Sequence, residues 1–86
     1  MFIAEDAGRV NGIPVWKYST EDGIYLVREY GSSQTGKRNY IVKSPIGKLY
    51  CFSNYSGDMP ELFRFIRQGK AEKDKVACDL KSIYDE

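Results

Sequence analysis

Gly23-Ile24-Tyr25-Leu26-Val27-Arg28-Glu29-Tyr30, then a polar loop, Asn39-Tyr40-Ile41-Val42-Lys43, a tight turn and Lys48-Leu49-Tyr50-Cys51-Phe52 follow one another through the middle of the chain. β-Branched and aromatic residues fill each run, and Gly, Ser and Pro separate them, so the stretch reads as three consecutive antiparallel strands. The turn Ser44-Pro45-Ile46-Gly47 has Ser first, Pro second and Gly fourth, the chemistry of a type I turn closed by a residue at positive φ. With Ser44 opposite Lys48, the expected pairs are Lys43 with Leu49, Val42 with Tyr50, Ile41 with Cys51 and Tyr40 with Phe52. Tyr40, Val42, Tyr50 and Phe52 then share one face, and Ile41, Lys43, Leu49 and Cys51 share the other. A slip of one residue would exchange the two sets, so the burial of one face pins the register. The bulkier face is expected to meet a helix.

That helix follows at once. Asp58-Met59-Pro60-Glu61 offers an N-cap residue, Pro in the first turn and an acidic residue three positions on. Met59, Leu62, Phe63 and Ile66 recur at i, i+3, i+4 and i+7, an apolar stripe that needs a sheet to cover it. Phe65 falls on the flank of the stripe, and Gly69 is a C-terminal stop. A second stripe, Val76, Ala77, Leu80, Ile83 and Tyr84, predicts a second helix from about Glu72, or one bent helix through Gly69.

Upstream, Phe2-Ile3-Ala4 reads as a short first strand, and Asn11-Gly12 is a tight-turn signal because both residues accept positive φ. Val15, Lys17 and Ser19 alternate with Trp16 and Tyr18, which makes a strand; Pro14 lacks the N–H a ladder needs, so this strand begins there or lies at an edge. Thr20-Glu21-Asp22-Gly23 turns the chain into the central run. The expected fold is therefore α+β: an antiparallel β-meander of about four strands, with one or two N-terminal additions, covered on one face by one or two C-terminal helices, as a single domain over residues 1–86.

The composition, 42% hydrophobic and 14% aromatic, is that of a folded chain. The net charge of +1 argues against a strongly cationic nucleic-acid binder. The charge is nonetheless uneven: Arg28, Lys37, Arg38, Lys43 and Lys48 stand against Glu29 alone between residues 24 and 54. No apolar run reaches the roughly 18–20 residues of a membrane span, and the first residues do not read as a signal peptide. Cys51 and Cys78 fall on different elements and are read as reduced thiols in a cytoplasmic protein.

Little in the sequence points to catalysis. The chain has no His, the commonest general base and metal ligand, and two cysteines alone do not make a zinc site. Gly31-Ser32-Ser33-Gln34-Thr35-Gly36-Lys37 matches a phosphate-loop spacing, but Arg38 stands where a Ser or Thr should bind Mg²⁺, and a strand follows where a helix N-terminus should hold the phosphate. The segment is read as an inter-strand loop that can touch a partner, with no nucleotide site. No catalytic, metal-binding or cofactor-binding residue is assigned.

Seven Tyr against one Trp suit a contact surface, since a Tyr buries a ring and keeps its hydroxyl wet. The expected function is that of a small non-enzymatic binding protein contacting another protein, an adaptor or an inhibitor of the kind that phages and mobile elements encode. Its expected contact residues are Trp16, Tyr25, Tyr30, Arg38 and Tyr55 on an open sheet face and its loops. The alternative is a DNA- or RNA-binding sheet using Arg28, Lys37, Arg38, Lys43 and Lys48. Three strands followed by a helix resemble in outline the sheet-type DNA-binding arms at the start of some mobile-element integrases, which lay strands in the major groove; no residue motif carries the likeness.

Overall fold

The Ser44–Gly47 turn forms with the expected hydrogen bonds. Gly47 N donates to Ser44 O at 2.9 Å and Ser44 N to Lys48 O at 2.8 Å, with Gly47 at φ 86. The four expected pairs, Lys43–Leu49, Val42–Tyr50, Ile41–Cys51 and Tyr40–Phe52, are all present. This hairpin belongs to a computed structural model that describes residues 4–30, 36–69 and 83–84.

Among those residues five strands, β1 (Ala4–Val10), β2 (Ile13–Thr20), β3 (Gly23–Glu29), β4 (Arg38–Lys43) and β5 (Leu49–Tyr55), precede one helix, α1 (Met59–Arg67). Each strand pairs antiparallel with the next, so the sheet is a five-stranded meander in the order β1-β2-β3-β4-β5. The α+β reading stands, and five strands match an expected meander of about four with one or two N-terminal additions. Of the expected strand Phe2-Ile3-Ala4, the first two residues lie outside the described residues, and β1 runs on from Ala4 through Glu5-Asp6-Ala7-Gly8-Arg9, which has neither alternation nor β-branched residues. It is an exposed edge strand, and its register shifts between Asp6 and Arg9, where Asp6 Oδ1 accepts from Gly8 N at 2.9 Å. Charges and a bulge are usual on an edge, where they discourage pairing with other chains. β2 is an inner strand, paired on both sides, and Pro14 is tolerated at its start, outside the register with β3.

The β2–β3 connection is held by side chain and backbone together. Thr20 Oγ1 accepts from Asp22 N at 3.1 Å and donates to Gly23 O at 2.9 Å. Gly23 is needed there for two reasons: its φ is +123, and a Cβ would lie 2.8 Å from Cβ of Pro45. The β2–β3 and β4–β5 turns thus pack against one another.

α1 lies on the face built from Tyr25, Val27, Val42, Tyr50 and Phe52, and buries Leu62, Phe63 and Ile66 there. Phe63 stacks on Tyr25 with ring centroids 4.2 Å apart and meets the edge of Tyr18 at 5.4 Å. Burying one such side chain contributes about 1.5–3 kcal/mol, so this stripe is what keeps a nine-residue helix folded. Asp58 caps it as the sequence predicts: Glu61 N donates to Asp58 Oδ1 at 2.9 Å. Gly69, at φ 77, ends it by donating its N–H to Ile66 O at 3.1 Å. Arg67 then ties the helix end to the β2–β3 turn through Asp22, at 2.7 Å.

The opposite face is not open, which corrects the sequence reading. Val10, Val15, Ile41 and Cys51 are buried there together with Ile83, and Leu26, Tyr30 and Leu49 pack around them. Tyr84 reaches the edge strand, its hydroxyl donating to Ala7 O at 3.2 Å. The expected second helix lies outside the described residues. The cysteine reading is also corrected: Cys51 is fully buried and disulfide-bonded. The chain's other cysteine is Cys78. Disulfide geometry depends on Cα atoms brought within about 7 Å, which two cysteines on separate elements do not reveal. Cys51 is therefore not the reduced thiol that the sequence suggests.

Two outcomes follow for stability. Asp58→Ala removes a cap worth about 0.5–2 kcal/mol, and the melting temperature should fall by several degrees with the far-UV spectrum otherwise retained. Ile83→Ala should cost about 2–5 kcal/mol, the usual loss for a fully buried Ile; a midpoint of denaturation within error of wild type would show that Ile83 does not close the second face.

Candidate functional site

A short helix cannot cover a five-stranded face. α1 is about 13 Å long at 1.5 Å per residue, and it sits over Tyr25, Val42, Tyr50 and Phe52. The β2 side of the same face stays partly bare. There Trp16 sits beside Val27 in the β2–β3 register and keeps 38% of its surface exposed.

The uncovered part is concave. A cleft of about 210 Å³ opens between β2, the start of β4 and the first turn of α1. Trp16, Tyr18, Tyr40 and Met59 form its walls, with Val27 at its floor, Pro14 at the β2 end, and Glu29 and Arg38 beside Tyr40. Glu29 pairs with Tyr40 across β3 and β4, and Arg38 Nη1 lies 3.0 Å from Glu29 Oε1. That hydrogen bond and the carboxylate charge raise the Arg38 pKa further above its ordinary value. Burial raises the phenol pKa of Tyr18. Burial likewise raises that of Tyr40, aided by the charge of Glu29 and by Tyr18 and opposed by Arg38. The site therefore offers ring faces, a thioether, two phenol hydroxyls that stay protonated at neutral pH, and a charge pair that neutralises itself.

A concave site that joins ring faces to several converging polar groups is where ligand binding is first sought. Its protonated phenols and its ion pair can offer hydrogen bonds to a ligand. Among the described residues no group of three His, Cys, Asp or Glu side chains could hold a metal ion, and no helix is long and apolar enough to cross a membrane. Among the described residues, hollows also flank the β4–β5 turn, one lined by Ile24, Leu26 and Pro45 and another by Tyr25, Tyr50 and Ile66, with the 86% exposed Ile46 bordering both. The second also joins two phenols, of Tyr25 and Tyr50, to the Asp22–Arg67 ion pair, but both rings are buried and no Trp lines it.

The sequence-expected contact residues scatter. Trp16 and Arg38 meet in the cleft. Tyr25 is 2% exposed under Phe63, and Arg28 is 3% exposed on the opposite face, so neither is presented to a partner. Tyr30 is half-buried, its hydroxyl 3.4 Å from Ser53 Oγ. Tyr55 is half-buried against the helix start, with Phe52, Phe65 and Tyr40 as ring neighbours. Lys37 and Arg38 stand at one end of β4, and Lys43 and Lys48 at the other, beside the turn. The six residues of β4 span about 17 Å, so the five cations do not form one patch. Tyr18, Tyr40, Glu29 and Met59 are not among the contact residues expected from the sequence. The signal for Tyr18 was its even-numbered alternation with Trp16; the others reach the cleft only through strand pairing and the placement of α1.

Comparison with protein-family models, curated proteins and solved structures finds no match for this chain.

Tyr55 gives the site's surroundings a pH signature. Its hydroxyl donates to Asp58 O at 2.7 Å and to Glu61 Oε1 at 3.4 Å. Burial, then the charge of Glu61, pushes its pKa up to about 12. A phenol in the unfolded chain ionises near 10, so between about pH 10 and 12 the folded chain holds a proton that the unfolded chain has released. Stability from this group is complete below pH 10 and is lost as pH rises to 12. Absorbance at 295 nm should show Tyr55 among the late-titrating tyrosines, with Tyr18, Tyr25 and Tyr40 also shifted upward, and Tyr55→Phe should lessen the alkaline fall in melting temperature; a fall of wild-type steepness in that variant would remove Tyr55 as its source.

Proposed function

We propose that this protein is a small non-enzymatic binding protein that contacts another protein through the Trp16–Tyr40 cleft, as an adaptor or an inhibitor. The observation that carries the reading is one exposed Trp set beside two half-buried Tyr rings and an Arg in a single concave site. Trp, Tyr and Arg dominate interface hot spots because each brings a large contact area or a directed hydrogen bond at limited entropic cost. Either role needs surface complementarity and no chemistry of its own.

Nucleic-acid binding is the weaker reading. Phosphate recognition needs cations that are exposed and close together. Here Arg28 is buried, Arg38 is engaged by Glu29, and Lys48 lies 5.6 Å from the centre of the Tyr50 ring, at the far end of β4 from Lys37.

The test starts from affinity capture on the protein, followed by calorimetry with the purified partner. Trp16→Ala or Arg38→Ala should cost more than about 1 kcal/mol of binding, whereas Lys43→Ala with Lys48→Ala should mainly slow association. Tight duplex binding, with a log–log salt slope near −0.9 per phosphate and lost on removing Lys43 and Lys48, would overturn the proposal.

A further inference from the structure

We propose that two copies of this chain join along β5, edge to edge and antiparallel, so that their sheets become one. β5 is an outer strand: among the described residues no strand lies beyond it. In the β4–β5 ladder Ser44 N donates to Lys48 O, and the pairs alternate from there. The backbone groups of Tyr50 and Phe52 therefore point to β4, and those of Leu49 and Ser53 point away from the sheet. Leu49 is half-buried and Ser53 is exposed. A row of outward backbone groups is a template for another strand unless charge, Pro or a bulge protects it. Leu49-Tyr50-Cys51-Phe52-Ser53 holds no charged residue and no Pro, and its pairing with β4 is regular from Leu49 to Phe52. The other edge is protected: β1 carries Glu5, Asp6 and Arg9, its register shifts between Asp6 and Arg9, and the Tyr84 hydroxyl occupies Ala7 O.

The contrast between the two edges names the occupant. Pairing β5 with β1 of the next copy would be head-to-tail and open-ended, and the protected β1 edge opposes it. Pairing β5 with itself uses one edge twice and closes after two copies. The strand is also complementary to itself. Asn54, at φ 56, ends the extended run, so the longest overlap of Leu49–Ser53 with its own copy is centred on Cys51. Leu49 of each copy then exchanges two hydrogen bonds with Ser53 of the other, and Tyr50 lies opposite Phe52, an aromatic cross-strand pair. The two Lys48 residues fall at opposite ends, about 20 Å apart. A two-fold axis normal to the sheet puts both helices on the same side. Phe65 meets the ring of Tyr55 at 6.4 Å and so stands on the β5 flank of α1, toward the helix of the other copy. No residue lining the Trp16–Tyr40 cleft belongs to β5, so the dimer presents two such clefts and does not depend on what they bind.

Sedimentation equilibrium of the full chain, its disulfide intact, measures the state of association, and amide hydrogen exchange locates the contact. The expected result is a monomer–dimer equilibrium with no larger species. On dilution from dimer to monomer the amides of Leu49 and Ser53 should exchange at least about tenfold faster, while those of Tyr50 and Phe52 stay protected by β4. Ser53→Pro removes an outward donor and no bond to β4. Because both copies lose that bond, dimerisation should weaken at least about tenfold. Ser53→Lys, an edge charge of the kind that blocks strand pairing, should weaken it likewise, whereas Ser53→Ala should leave it unchanged. Far-UV spectra and thermal unfolding show which variants keep the fold. A chain that stays monomeric to millimolar concentration overturns the proposal, whether or not a strand of another protein then binds β5. So does growth to larger oligomers, a dimer that the folded Pro or Lys variant retains at wild-type strength, or exchange at Leu49 and Ser53 that ignores dilution.

Discussion

The register of β4 against β5 is the constraint on which the other features depend. Ser44 N to Lys48 O and Gly47 N to Ser44 O close the turn, and from that closure Tyr40, Val42, Tyr50 and Phe52 fall on one side and Ile41 and Cys51 on the other. One face then carries the larger, mostly aromatic side chains and the other the smaller ones. The aromatic face takes the helix, with Phe63 stacked on Tyr25. Because side chains alternate along a strand, a shift by one residue would invert both faces at once, and no helix stripe would then find its complement.

Both faces of the sheet are buried, and this changes what the surface can offer. An antiparallel sheet often keeps one face wet, and a row of Lys and Arg on β3 and β4 suggests that arrangement here. The cluster of Val10, Val15, Ile41, Cys51 and Ile83 removes it. Arg28 goes inside with that cluster's face, and the remaining cations are pushed to the two ends of β4. The exposed chemistry is consequently found where covering is incomplete. α1 has nine residues and lies over part of its face, so Trp16 on β2 is left at the border between core and solvent. The ion pair of Arg38 with Glu29 closes the same border with opposed charges, exposed enough that it orders side chains more than it stabilises the fold.

Much of this architecture was legible in the residues themselves. The three central strands, the pairing of β4 with β5, the Asn11-Gly12 and Ser44–Gly47 turns, the Asp58 cap and the Gly69 stop are local features. They depend on which φ a residue accepts, on which side chain reaches a backbone N–H two or three positions away, and on period-2 or period-3.6 burial. The edge strand β1 was less legible, because an edge is built to avoid the apolar alternation that marks a strand.

The candidate site was legible only in fragments. Alternation along β2 put Trp16 and Tyr18 on one side, and the helix stripe put Met59 toward the sheet. Tyr18, Glu29, Arg38 and Met59, from four separate elements, enter a single cleft only because strand pairing and helix length decide what lies beside what. The sequence by itself determined local conformation and the two-sided pattern of the central hairpin, since both follow from neighbouring residues. The tertiary structure alone decided that Tyr25 and Arg28 are buried, that Cys51 is disulfide-bonded and that Trp16 borders a cleft. Each of these depends on what covers a face, and coverage is set by contacts between residues far apart in the chain.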